Sequence, residues 1–285
     1  MIDLRDVAAP PWEDDLLVTA QLKGVVDVWS LARGARCATL ETVWGSGGGW
    51  RGALVSGERP LVVAGAWERH GVCGYDLSGQ RLWQDRSRTN EEAVTALAGG
   101  RVAVTYLRRA TRVLEAASGE EVRSLRGALQ VFALRPDVLL ALGSDWCRLL
   151  DGSLDPLGSR ISTSGRGGFV SAATDGEHLA VAEIGGPLRI IDPDGRERAR
   201  VAEHFRHVLH DPVTETWVAV HETSEGRNSL FRFSDDGEVL ERRPSDHRVG
   251  GTATMRGGRT LILITAEGVE VIDCADWSVR QLEAT

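Results

Sequence analysis

Histidines, cysteines, acidic turns and a set of arginine- and tryptophan-bearing loops are the residues of this chain able to do chemistry. His204, His207 and His210 have a spacing that would gather three imidazoles on one face of a helix. Their segment reads as a strand, where residues three apart point to opposite faces, so they do not converge on a metal. His70, His221 and His247 fall at one end of the fold derived below, but no carboxylate set accompanies them. Asp192-Pro193-Asp194-Gly195 and Ser234-Asp235-Asp236-Gly237 look like pieces of a calcium loop. Both lack the DxDxDG spacing with a distal Glu, and read instead as hairpin turns. The glycine-rich stretch 45–49 lacks the Gly-Lys-Ser/Thr ending and the following helix of a phosphate loop. No GxSxG elbow, HExxH motif or paired Cys/His nucleophile is present. No catalytic residue, metal or cofactor is therefore expected.

The arginines and tryptophans are the better lead. Lys23 is the only lysine, so the other 32 of the 33 basic residues are arginines. Arginine suits planar contacts to carboxylates and aromatic rings. The candidate partner-binding residues are Trp50, Arg51, Trp67, Arg69, Arg88, Arg109, Trp146, Arg166, Arg206 and Arg248. They fall in loops carrying about thirteen basic and nine acidic residues, near +4 on a body near −12, against a total of −8. Arginine and tryptophan are enriched at binding hot spots. A mildly basic, aromatic face on an acidic body suits an acidic protein or peptide segment. The competing reading is that tryptophans pack between structural units and arginines fill any loop of a lysine-poor protein. The acidic total and the pI near 5.5 argue against nucleic acid.

Those loops need a scaffold, and an internal repeat supplies it. Alternating apolar residues, a large apolar residue, often an acidic residue and then a turn recur seven times. The large positions are Trp29, Tyr75, Leu114, Leu150, Ile191, Phe233 and Ile272. Their separations run from 36 to 46 residues and average about 40.5, so seven units need about 284 of the 285 residues. A continuous apolar run precedes each position, as in Pro60–Ala64, Val138–Leu142 and Leu261–Ile264. Such runs read as strands buried on both faces. Before each lies a segment of small and apolar residues, as in Ala93–Leu97 and Phe169–Ala173. After each comes a polar, alternating segment, as in Arg36–Leu40 and Val279–Leu282. Four strands per unit, graded from apolar to polar, make one propeller blade from axis to rim.

Turn residues agree. Ser78-Gly79, Ser118-Gly119, Asp194-Gly195 and Asp236-Gly237 supply the positive φ that tight hairpins need. Thr111–Arg126 contains helix formers, but Ser118-Gly119 at its centre and its register with the other units favour a hairpin. The expectation is an all-β chain: one seven-bladed propeller domain of four-stranded antiparallel blades spanning 1–285. The blades fall near 2–44, 49–87, 91–126, 129–164, 168–203, 204–245 and 248–285.

The text Val26-Asp27-Val28-Trp29-Ser30-Leu31, with Ala38-Thr39-Leu40 after it, resembles a WD-repeat. Tyr75-Asp76, Leu150-Asp151, Ile191-Asp192 and Ile272-Asp273 hold the place of the Trp-Asp pair. The resemblance is degenerate, because the Gly-His pair that usually opens such a repeat is in none of the seven units. It implies a propeller and assigns no partner.

Cys37, Cys73, Cys147 and Cys274 have no CxxC spacing and sit in apolar, strand-like text, so buried free thiols are expected. Met1–Asp6 shows no basic segment running into an apolar one. No apolar run nears the ~20 residues of a membrane span. A monomer in the cytoplasm, without a membrane, is expected. The ring is expected to close by side-chain packing between first and last blades, the alternative being Ile2–Val7 as the outer strand of the last blade. The function expected is a non-catalytic binding platform or scaffold. The alternative is a propeller enzyme or small-ligand sensor with its site at the axial channel.

Overall fold

The computed structural model describes residues 4–21, 24–43, 51–66, 71–88, 91–107, 110–163, 169–222, 228–245 and 249–283. They form seven four-stranded antiparallel sheets, each from four consecutive strands paired in chain order. The chain is a seven-bladed β-propeller. Blades 1 to 7 run over 4–41, 51–85, 91–125, 130–162, 169–201, 205–245 and 251–282.

The first strand of every blade lines one central channel. These inner strands are β1 (Leu4–Ala8), β5 (Arg51–Val55), β9 (Glu91–Leu97), β13 (Gln130–Arg135), β17 (Phe169–Thr174), β21 (Phe205–Asp211) and β25 (Gly251–Met255). Small residues suit this position, because seven strands converge there. The large repeat residues all lie on third strands and are all buried, from Trp29 and Phe233 to Leu150. Thr111–Glu115 and Glu121–Leu125 are two strands joined by a turn at Gly119, which has φ +75°, so that segment is a hairpin.

The core is not one globule. It divides into seven apolar layers, one at each junction between neighbouring blades. This explains the apolar second strands: each faces a neighbouring blade on both sides. At the closing junction, Val7, Leu17, Trp29 and Leu31 of blade 1 pack on Met255, Ile262, Ile264 and Val269 of blade 7.

On closure, the first blade is complete within its own segment as expected, the alternative is excluded, and one expectation is corrected. Leu4–Ala8 pairs with Leu16–Gln21 inside blade 1, so it is an inner strand and not the rim of blade 7. Nor does side-chain packing seal the ring alone. At the rim, Glu283 N donates to Gly34 O and Arg36 N donates to Glu283 O, at 3.0 and 3.3 Å. Beyond the far ends of the inner strands, the loop after β1 docks on blade 7. Gly257 N donates to Pro11 O, Arg256 N to Glu13 O and Arg256 Nε to Asp14 O. These bonds hold Arg256 at φ +54°, a left-handed conformation that costs a non-glycine residue about 1–2 kcal/mol.

A second correction concerns the thiols. Cys73, Cys147 and Cys274 are buried, but Cys37 is exposed on the outer strand of blade 1. That strand has one face to solvent, and its alternation puts Leu40 inside and Cys37 outside. No helix among the described residues is long and apolar enough to cross a membrane.

Candidate functional site

The channel has a volume of about 530 Å³. Pockets for small ligands fall within about 300–1,000 Å³. All inner strands run the same way, so their first residues ring one mouth, at the end that carries the connections between blades. In blade order this mouth presents Asp6, Arg51, Glu92, Gln130, Val170, Arg206 and Thr252. At the other end Pro10 and Pro11 line the channel, and Pro11 with Trp12 also lines a 300 Å³ pocket beside Arg135, Asp175 and His210.

Four inner strands carry a register irregularity at the mouth. The pairing skips between Leu4 and Asp6, between Glu91 and Ala93, between Phe169 and Ser171, and between Phe205 and His207. A bulge inserts one residue and re-aims its side chain. Glu92, Val170 and Arg206 are such inserted residues, and all three line the channel.

The wall below the mouth is two-sided. Blades 2 to 4 present mostly apolar groups, among them the half-buried Ala93, Val94 and Ala133. Blades 5 to 7 present a polar bridge. His207 Nε2 lies 2.6 Å from Thr254 Oγ1, and His207 Nδ1 lies 3.3 Å from Ser171 Oγ. Ser171 Oγ also accepts from Val208 N at 3.1 Å. One imidazole thus ties three blades together. Burial drops the His207 pKa to about 4, so the ring is neutral at neutral pH. At the mouth, burial raises the Asp6 carboxyl, opposed by the bond from Val7 N and by the charge of Arg51.

A second cavity of about 490 Å³ opens beside the mouth, over blades 5 to 7. It shares Asp6, Val170, Arg206 and Thr252 with the channel and adds Glu183, Gly185, His204 and Phe205. Val170 and Ile184 on this side are exposed. Arg206 Nη1 donates to Val249 O at 2.6 Å, which fixes the guanidinium between the two cavities.

The sequence candidates divide accordingly. Trp50, Trp67, Arg69, Arg109, Arg166 and Arg248 lie outside the described residues, as do His70 and His247. Arg51 and Arg206 come together at the channel mouth. Arg88 stands over the Tyr106 ring at 5.7 Å. Trp146 was expected in a loop but is the first residue of a third strand, Trp146–Asp151. Its ring lies against Gly143, where a Cβ would come within 2.2 Å of it, and Arg160 covers it at 4.3 Å. His204 is exposed, His207 faces the channel, and His210 packs edge-on against Trp217. His221 packs edge-on against Phe205 and Phe231 rather than lining the axis.

Asp6, Glu92, Gln130, Ser171 and Thr254 were not singled out from the sequence. Only the bulges and the convergence of seven strands make them neighbours. Another residue without a sequence signal is Glu91, which is fully buried with no hydrogen-bond partner among the described residues. Burial pushes its carboxyl up to about 7.

Asp175, His178 and Asp235 form the one group of potential metal ligands among the described residues. Their atoms already have partners. Asp175 accepts from two backbone N–H groups and lies 2.7 Å from His178 Nδ1. His178 Nε2 faces Arg198 at 3.2 Å, and Asp235 accepts from the Trp217 indole at 2.9 Å. Asp192 and Asp235 sit in tight hairpin turns, with Gly195 N bonded to Asp192 O and Gly237 N to Ser234 O.

No protein-family model matches the chain, and no curated protein matches it in sequence.

Proposed function

We propose that the protein is a non-catalytic binding platform that presents the channel-mouth face to an acidic protein or peptide segment. One observation carries this reading. The channel mouth and the neighbouring 490 Å³ cavity form one concavity at the end where the arginine-rich loops emerge, with Arg206 in both. Propellers favour this use because the blades hold loops from distant sequence positions in fixed geometry, which lowers the ordering cost of binding. Exposed Val170 and Ile184 supply apolar contact beside the arginines. The WD-like text is consistent with a scaffold of this kind, and the bland Ala, Val, Ser and Thr lining of the inner strands suits binding more than catalysis.

The test is binding of fluorescein-labelled Asp/Glu-rich peptides, followed by anisotropy, against Asn/Gln counterparts of the same length. Acidic peptides should bind at least tenfold more tightly, and Arg51→Glu with Arg206→Glu should remove that preference. Raising salt to about 0.5 M, where the Debye length falls to a few ångströms, should weaken it. Equal binding of acidic and neutral peptides would defeat the reading.

A further inference from the structure

We propose that the cavity at the far end of the channel, between Trp12 and blades 4 to 6, is a binding site for an uncharged, planar heteroaromatic molecule with acceptor atoms in its ring system. This goes beyond the platform and does not depend on it, because the cavity lies at the opposite end of the ring.

Trp12 carries the assignment. Trp29, Trp83, Trp146, Trp217 and Trp277 all pack in the layers between blades. Trp12 packs in none of them, and stands half-buried on the loop between Leu4–Ala8 and Leu16–Gln21. Trp29, Trp83, Trp217 and Trp277 also donate their indole N–H groups to partners. The Trp12 indole N–H has no partner among the described residues. The backbone on either side is held, because the carbonyls of Pro11 and Glu13 both accept from blade 7. A fixed aromatic face with an unused donor, bordering a cavity, suits a flat ligand.

The rest of the wall sets the chemistry of that ligand. Arg135 is the one cation and Asp175 the one carboxylate among the lining residues, so the formal charges balance and the ligand carries none. The Asp175 carboxylate is already occupied by Glu177 N, His178 N and the His178 ring. Thr174 and Thr254 are bonded too, to the His178 carbonyl and the His207 ring. Pro11, Pro136 and Pro212 border the cavity and bring no N–H. Three polar groups are left for a ligand: the Trp12 indole, the Arg135 guanidinium and the His210 imidazole. Arg135 lies over Gly176, where a Cβ would come within 2.6 Å of Nη1, and makes no hydrogen bond among the described residues. His210 packs edge-on against Trp217, and its ring nitrogens make none either. Burial pushes its pKa down, against the charges of Asp175, Asp235, Asp211 and Glu215, so above pH 7 the ring is neutral and offers one donor and one acceptor. Donors outnumber acceptors, which asks for acceptors on the ligand. A volume of about 300 Å³ is at the small end for ligand pockets and suits one or two rings.

The probe is purine at pH 7.5, compared with indole, which has the same bicyclic shape and no ring acceptor, and with benzoate and benzylammonium. Calorimetry should give one purine per protein, bound at least tenfold more tightly than indole or either ion. Trp12→Ala should weaken purine at least tenfold. Arg135→Met keeps the stem and removes the donors, so it should weaken purine at least threefold and leave indole unchanged. Absence of purine binding, equal or tighter binding of indole or of either ion, purine binding untouched by Trp12→Ala, or an unchanged ratio of purine to indole in Arg135→Met would overturn the proposal. A measurement on the parent protein guards against misfolding. The Trp12 indole N–H resonance, identified by its absence in Trp12→Phe, should shift on adding purine, while those of Trp29, Trp83 and Trp277 stay in place. A Trp12 resonance that does not move at saturating purine overturns the site. Peptide binding at the channel mouth is measured with other variants, so the platform can fail while this site stands, and the reverse.

Discussion

The two walls of the channel solve the same packing problem in different ways. Blades 2 to 4 fill their share with small apolar side chains, while blades 5 to 7 place Ser171, His207 and Thr254 there and join them by hydrogen bonds. The apolar wall needs no partners, and almost any residue of the right size serves. The polar wall must satisfy every group it buries, because an unmade bond in a low-dielectric site costs more than a made bond contributes. Each half also holds a titratable group whose pKa burial shifts strongly. Glu91 in blade 3 has no described partner, and His207 in blade 6 has two. An unpaired group tolerated on one side and a saturated one on the other show that stability constrains the two halves unequally.

The largest effect should come from forcing the polar solution onto the apolar wall. Val131, on the inner strand of blade 4, is buried behind that wall among Leu97, Ala141 and Leu150. Val131→Asp places a carboxylate there without a cation and should cost at least about 3 kcal/mol in urea unfolding. A cost below about 1 kcal/mol would mean that water already reaches this wall, and the contrast between the halves would collapse.

Next in size is a pair of pH effects with opposite signs. The His207 pKa is lowered by burial to about 4 from an ordinary 6.5, so the stability that depends on its neutral form is present above 6.5 and lost as pH falls through 4. The Glu91 pKa is raised by burial to about 7 from an ordinary 4.5, so the stability that depends on its protonated form is present below 4.5 and lost as pH rises through 7. Each is worth at most about 3 kcal/mol across its window. Between pH 4.5 and 6.5 the two slopes oppose each other. Against the parent, Glu91→Gln should become progressively more stabilising from pH 4.5 to 8 in urea titrations. His207→Gln should become progressively less destabilising as pH falls from 6.5 to 4. Parallel slopes for the two variants would show that the halves do not titrate independently.

The sequence announced the apolar wall far better than the polar one. The seven-fold spacing, the doubly buried second strands and the Gly-containing turns all follow from local pattern, and the blades appear where that pattern puts them. Trp29, Phe233 and Ile272 needed only periodicity to be placed. Arg206 and His207 could be noticed as unusual residues on an inner strand. The bulge that inserts Arg206 beside His207 could not be derived, because no local pattern marks the skipped pairing. The Ser171–His207–Thr254 bridge joins residues up to 83 positions apart, and no local signal connects them. Cys37 shows the reverse error. Its neighbours read as apolar, but an outer strand has a solvent face, and one step of register decides which residue takes it.

The smallest effects give the sharpest test, because the same substitution can be made on both walls. Thr95 and Thr254 are both half-buried in the channel. Thr95 Oγ1 donates to the Val131 carbonyl at 3.0 Å, while Thr254 Oγ1 meets His207 Nε2 at 2.6 Å. Valine keeps the volume and removes the hydroxyl in each case. A carbonyl has two lone pairs and tolerates losing one partner, so Thr95→Val should cost about 0.5–1 kcal/mol. Thr254→Val leaves one imidazole nitrogen with no partner inside the ring, so it should cost about 1–2 kcal/mol. Adding His207→Phe to Thr254→Val removes the stranded nitrogen and should recover part of that loss, whereas His207→Phe added to Thr95→Val should recover none. If the two single substitutions cost the same, the bridge is no more than a set of independent bonds. If Thr254→Val costs more and the double variant recovers it, His207 is the group whose satisfaction sets the composition of the polar wall.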